Sequence, residues 1–259
     1  MRWILTFLWI CAAGVAAVAG AARADAEPVV IFAAASLKGP LDAVVAGIEV
    51  ETGLTVRVSY GATSTLARQI SVGAPADLFW AASAEWMETV SARVAAGPVD
   101  VLGNRLVVAA WAGVDTDADA DDVGPISAEA LRALAQEGRI ATARTDAVPL
   151  GQYARAVIEG LGLWPELRAD LIETDSARAA LVLVSRGDAP FGMLYASDLV
   201  AAAGSVWRVA DVPEELHPPI RYPLAALSAR AEVREVFDAL QGPAARAQFV
   251  AAGFGVVSP

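Results

Sequence analysis

Apolar residues recur along this chain with two different spacings, and the spacings alternate. Pro28 to Ala34 (PVVIFAA) is a short apolar run rich in β-branched residues, too short for a helix and suited to a buried strand. Ser36 follows, and Leu37, Leu41, Val44, Val45 and Ile48 then recur at helical spacing. Pro40 falls in the first turn of that helix, where a missing N–H costs little, and Gly53 closes it. Leu54 to Tyr60 (LTVRVSY) alternates as a strand does, and Thr63-Ser64-Thr65 opens a helix carrying Leu66 and Ile70.

The same succession returns in the second half. Arg139 to Ala143 is a weak strand, and Val148-Pro149-Leu150-Gly151 leads into a helix bearing Tyr153, Val157 and Leu161. Asp175-Ser176 caps a helix through Leu181 and Val184, and Ser127 caps one through Leu131 and Leu134. Phe191 to Tyr195 (FGMLY) reads as a buried strand with Tyr195 at its carboxyl end. Strands alternating with helices imply an α/β architecture with mainly parallel sheets, in which ligands sit beyond the carboxyl ends of strands. The apolar runs Asn104 to Trp111 and Tyr222 to Leu227 look like crossovers between two lobes. On that basis residues 27–105 and 224–259 form lobe I, and residues 106–223 form lobe II. A single continuous domain is the alternative that periodicity alone leaves open.

The amino terminus departs from this pattern. Arg2 precedes an uncharged apolar run from Ile4 to Val18, and Ala22-Arg23-Ala24 has the form that a signal peptidase reads. Residues 1–24 are therefore expected to be a cleaved export signal, which places the mature protein in the periplasm. Cys11 lies within the apolar run behind bulky Trp9 and Ile10, which disfavours a lipoprotein.

The apolar share of 56% exceeds the usual level of about 45–50%, and the signal segment accounts for part of the excess. Thirty acidic side chains against 19 basic ones give a net charge of −11. Cleavage after Ala24 removes Arg2 and Arg23 but no acid, leaving 17 basic against 30 acidic and a net charge of −13. No basic patch is present to neutralise nucleic-acid phosphates. One cysteine and one histidine, His217, exclude an internal disulfide and a zinc cluster. Asp115 to Asp122 lacks the glycine and glutamate of a calcium loop and reads as a solvated acidic loop. Nucleotide-binding glycine motifs and the GxSxG of serine hydrolases are absent, so no enzyme activity is expected. Trp80, Trp86 and Trp111 read as core or cleft-rim residues, and His217 in HPPIRYP as a structural or turn residue.

Five segments carry a resemblance: FAAASL (Phe32 to Leu37), STLARQI with GAPADLF (Ser64 to Phe79), GNRLVV (Gly103 to Val108), VPLGQYA (Val148 to Ala154) and APFGMLYASD (Ala189 to Asp198). In this order they resemble the periplasmic molybdate-binding proteins of molybdate ABC importers. The resemblance implies a type II periplasmic-binding fold, with two α/β lobes, a ligand cleft between them and two hinge-crossing strands. It implies capture of molybdate, and of tungstate, for delivery to a membrane permease by a monomer without a cofactor. Molybdenum would enter only as the oxyanion. The ligand residues it implies are Ser36, Thr63, Leu150, Ala177 and Tyr195, with Leu150 and Ala177 acting through backbone amides. Ala143-Arg144-Thr145 stands where relatives often have Gly-Asp-Pro, and Thr63 where they usually have serine.

Apart from the resemblance, Ser36 and Thr63 also read as helix N-caps, and Tyr195 as a tyrosine at the edge of the core. Ser36, Thr63, Leu150 and Ala177 each fall at a predicted helix start, where unpaired N–H groups and partial positive charge favour an anion. A carrier of sulfate, phosphate or ferric ion is the alternative. Phosphate near neutral pH keeps a proton and needs an acceptor, for which Asp146 is the candidate. Ferric-ion carriers usually pair adjacent tyrosines, whereas Tyr60, Tyr153, Tyr195 and Tyr222 are isolated.

Overall fold

A computed structural model describes residues 27–114 and 123–257. The expected signal segment and the acidic loop from Asp115 to Asp122 lie outside the described residues. The chain begins with β1 (Val29–Ala34), a short 3-10 turn (Ala35–Leu37) and α1 (Pro40–Thr52), then β2 (Val56–Gly61) and α2 (Thr63–Ser71). It continues through β3 (Leu78–Trp80), α3 (Ala84–Glu88) and β4 (Ala96–Gly103). Gly53 ends α1 in the left-handed conformation, with φ of 71°, as its place in the sequence predicts.

After Asn104 and Arg105 the chain enters a second sheet. Here β5 (Leu106–Trp111) is followed by α4 (Ala128–Glu137), β6 (Ile140–Ala143), α5 (Pro149–Gly160), α6 (Trp164–Leu167), β7 (Leu171–Thr174) and α7 (Ala177–Ser185). Next come β8 (Phe191–Tyr195), α8 (Ala196–Ala201) and β9 (Val206–Asp211). The chain then returns to the first sheet with β10 (Arg221–Ala226), α9 (Ala231–Ala239), α10 (Pro243–Ala251) and β11 (Gly255–Val256).

The strand orders are β11-β4-β10-β3-β1-β2 in the first sheet and β7-β6-β8-β5-β9 in the second. Both sheets are mixed, which corrects the expectation of mainly parallel sheets. β1 pairs in parallel with β2 and β3, and β6 with β7 and β8. The other pairs are antiparallel, and each includes β4, β5 or β10, the strands next to the two crossings. A strand that arrives from the other lobe need not continue the local βαβ winding, which is what keeps neighbouring strands parallel. The crossings also lie elsewhere than expected, the first shorter and the second longer and earlier in the chain. Asn104-Arg105 and the segment 212–220 pass between sheets, while β5 and β10 each belong to one sheet. The expected lobe border between 223 and 224 falls inside β10, which pairs with β4 from Arg221 onward. The Asn104 amide donates to the Ile220 carbonyl at 3.4 Å, tying the crossings together.

Strand alternation divides the first lobe's core. Ile31, Ala33, Leu78 and Trp80 pack on one face of the sheet, and Phe32 and Phe79 face Leu66, Ile70 and Met87 on the other. Trp80 is fully buried edge-on to Phe249, with ring centroids 5.1 Å apart, and its indole N–H donates to the Tyr222 carbonyl at 3.2 Å. It is a core residue. His217 is also buried, edge-on to Tyr153. Trp111 is partly exposed at the end of β5.

Candidate functional site

The five expected site residues all lie at or beyond the carboxyl ends of strands. Ser36 follows β1, Thr63 follows β2, Leu150 follows β6, Ala177 follows β7, and Tyr195 ends β8. The folding of the lobes brings all five to one narrow cavity. Ala34, Ala35, Ser36, Gly61, Ala62, Thr63 and Ala82 line it from one lobe, and Val148, Pro149, Leu150, Ala177 and Tyr195 from the other. It holds about 220 Å³ of atom-free space, its mouth included, and among the described residues no charged side chain lines it.

Local geometry makes three of these positions donors. Thr63 is the first residue of α2, and Pro149 and Leu150 open α5. Ala177 opens α7, with the Ser176 hydroxyl capping the helix by accepting the Ala179 amide at 3.2 Å. First-turn amides have no intrahelical acceptor, so those of Thr63, Leu150 and Ala177 are placed to serve the cavity. Gly151 lets α5 reach this position. A Cβ there would overlap the carbonyl oxygens of Ala143 and Arg144, at the end of β6.

Ser36 differs from expectation. It lies inside the 3-10 turn, and α1 starts only at Pro40, with Gly39 as its N-cap. A helix cannot start at Ser36 because Pro40 supplies no N–H to bond back to it. Thr63 is not an N-cap either. Ala62 holds that position, and the Thr63 hydroxyl instead accepts the Ala82 amide at 3.1 Å. One lone pair is thereby occupied and the hydroxyl hydrogen remains available.

Tyr195 supplies the most direct sign of a missing partner. Its side chain is fully buried, and among the described residues nothing makes a well-formed hydrogen bond with its hydroxyl, the Tyr222 hydroxyl acting on it only as a weaker neighbour. Burial raises its pKa well above the ordinary tyrosine value, so the hydroxyl stays protonated and able to donate. Asp146 is not in the cavity. It pairs with Arg144 through two hydrogen bonds of 3.0 and 3.2 Å on the exposed surface, and Arg144 lowers its pKa. The acceptor that a phosphate carrier would need is therefore missing from the lining. Arg144 and Thr145 form an ordered loop, closed by the Val148 amide donating to the Arg144 carbonyl at 2.9 Å.

A profile of the bacterial extracellular solute-binding proteins matches residues 29–255. The chain belongs to that family. It is 39% identical over 246 residues to the molybdate-binding protein ModA of Escherichia coli, covering 93% of each chain. It is 32% identical to ModA of Haemophilus influenzae, covering 91% of this chain and 92% of that one. Its fold matches the periplasmic molybdate-binding protein of Azotobacter vinelandii with a TM-score of 0.72 and 23% identity, over 89% of this chain and 99% of the other.

The solute-binding protein is closed around the cavity. The Tyr153 hydroxyl on α5 donates to the Ala82 carbonyl at 3.4 Å, and α7 packs on the turn holding Ser36. Behind the cavity lie residues that the sequence did not single out for the site. The Tyr222 and Ser36 hydroxyls are 3.1 Å apart, and the Asn104 side-chain amide donates to Tyr222 at 3.3 Å and to the Ser197 hydroxyl at 2.9 Å. Asp198, fully buried, accepts the Tyr195 amide at 3.1 Å, and burial pushes its carboxyl up to about 7. Asn104 lies within the GNRLVV segment, Ser197 and Asp198 within APFGMLYASD, and Tyr222 opens the expected second crossover, which is the signal the sequence holds for them.

Proposed function

We propose that this protein captures molybdate, and tungstate as an anion of the same shape and charge, in the interlobe cavity and delivers it to a membrane ABC importer. The observation that carries the reading is a charge-free lining of donors in which the Tyr195 hydroxyl is buried with no well-formed hydrogen bond among the described residues. Leaving that hydroxyl dry and unpaired costs about 1–3 kcal/mol, which an anion oxygen would recover. Ser36, Thr63 and Tyr195 donate hydroxyls, and Leu150 and Ala177 donate amides. Phosphate brings a proton that this lining cannot accept. Sulfate is fully deprotonated but smaller, so the span between the two sets of donors must reject it. The similarity to ModA proteins supports the same ligand.

The donors come from both lobes, so the anion bridges them and favours closure, and entry and release require the lobes to part about the two crossings. The protein performs no chemistry and needs no cofactor. It works as a monomer in the periplasm after removal of residues 1–24, with the importer's permease as its macromolecular partner. Melting the purified protein with added molybdate or tungstate tests the ligand. The melting temperature rises with ligand concentration, and no shift with either anion at saturation would refute the assignment.

A further inference from the structure

Tyr222 and Asn104 are not among the residues lining the cavity, yet hydrogen bonds run from the hinge through both of them to Ser36. Asn104 sits in the two-residue crossing between β4 and β5. Its Oδ1 accepts the Arg105 amide at 2.9 Å, which fixes the orientation of the side chain and turns the NH₂ group to Ser197 and Tyr222. Tyr222 is fully buried at the start of β10, and burial keeps its hydroxyl protonated.

The Asn104 end of this chain sets its polarity. The Asn104 NH₂ group only donates, so the Tyr222 oxygen accepts from it and cannot return its hydrogen there. Among the described residues the acceptor at hydrogen-bond distance left for that hydrogen is Ser36 Oγ, 3.1 Å away. Ser36 is thereby an acceptor from Tyr222, and its own hydrogen is left for the cavity. Thr63 reaches the same state by a separate route, because the Ala82 amide occupies its oxygen from behind.

We propose that Asn104 and Tyr222 are positioning residues that lock the Ser36 hydroxyl as a donor toward the bound anion, so that the site selects tetrahedral oxyanions without a proton over those that carry one. This rests on the reading of the cavity as an oxyanion site. A monohydrogen phosphate or arsenate facing Ser36 would set hydrogen against hydrogen. Because the relay starts at Asn104 in one crossing and runs through Tyr222, two residues past the end of the other, the hinge and the selectivity of the site share the same side chains.

The test reverses the relay without changing its shape. In Asn104→Asp the carboxylate accepts from Tyr222, Tyr222 accepts from Ser36, and Ser36 turns a lone pair on the cavity. Competition titrations would compare molybdate, sulfate and phosphate in mildly alkaline buffer, where phosphate is a monoprotonated dianion. All three carry the same charge, so the added carboxylate weakens them alike. The molybdate-to-phosphate affinity ratio should fall roughly tenfold or more, while the molybdate-to-sulfate ratio stays unchanged. Tyr222→Phe cuts the relay, and in that background Asn104→Asp should leave both ratios unaltered.

A molybdate-to-phosphate ratio that does not move in Asn104→Asp, or that moves equally with and without the Tyr222 hydroxyl, overturns the proposal. Melting curves show whether each variant folds. If Asn104→Asp does not, Tyr222→Phe alone decides: it frees the Ser36 hydroxyl and should lower the molybdate-to-phosphate ratio several-fold, and an unchanged ratio overturns the proposal. Wild-type binding reads the functional assignment separately. Molybdate binding with an inert Asn104→Asp removes only the relay, and a wild type that binds no oxyanion removes both.

Discussion

The Thr63 hydroxyl accepts the Ala82 amide at 3.1 Å, a bond between the start of α2 and the segment after β3. Thr63 is fully buried, so this bond both pairs an amide and aims the remaining hydrogen at the cavity. Thr63→Val keeps the shape and removes the oxygen. It should lower the stability of the ligand-free protein by about 1–3 kcal/mol and weaken molybdate binding tenfold or more. Thr63→Ser should restore both. Calorimetric titration and melting of the two variants check the pair.

Tyr195 predicts the opposite sign for stability. Its hydroxyl is buried with no well-formed hydrogen bond among the described residues, so Tyr195→Phe removes a poorly paired polar group from the site. The ligand-free variant should melt at the wild-type temperature or above it, while its molybdate affinity falls roughly tenfold or more. Loss of stability together with unchanged affinity would mean that the hydroxyl serves the core. Ser36→Ala should also lose affinity, by about 1 kcal/mol or more.

Gly151→Ala would drive a methyl group into the carbonyl oxygens of Ala143 and Arg144. The first turn of α5 must then shift, and the Leu150 amide with it. A stability loss of about 1–3 kcal/mol and a marked loss of anion binding are expected. Gly160→Ala, where the nearest group is the flexible Leu216 side chain, should be mild in both measurements.

Asp198 gives the protein a pH dependence. Burial pushes its carboxyl up to about 7, against the opposing pull of the Tyr195 amide. Between the ordinary carboxylate range and that value, the folded protein holds a proton that the unfolded chain has released. This group's contribution to stability therefore falls as pH rises from about 4 to about 7, and is flat above. Asp198→Asn has no such titration and can still accept the Tyr195 amide. The melting temperature of the variant relative to wild type should climb across that interval, by several degrees for a difference of a few kcal/mol. A constant offset would show that Asp198 titrates as an ordinary carboxylate.

The elements legible in the sequence were those with strong local signals. The strand Phe191–Tyr195 and the helix starting at Pro149 follow from a short apolar run and from a proline at the first helical position. Ser127 and Ser176 cap their helices as their placement predicts, accepting the Ala130 and Ala179 amides. The apolar spacing runs back through Leu37 and so points to a helix start at Ser36, whereas Gly39-Pro40 marks the true start. The mixed character of the sheets was not legible, because strand direction at β5 and β10 depends on which lobe the chain enters. The five cavity residues came through motif resemblance, and the structure brings them together. Tyr222 and Asn104 did not, since Tyr222 meets Ser36 across 186 residues of sequence and no periodicity encodes that contact.

The central claim is that a cavity of neutral donors holds a fully deprotonated tetrahedral oxyanion. Isothermal titration of the wild-type protein with molybdate, tungstate, sulfate and phosphate side by side tests it most directly. Tight binding of molybdate and tungstate, with little heat from sulfate or phosphate, is the predicted pattern. Absence of molybdate binding, or phosphate bound as tightly as molybdate, would contradict the account.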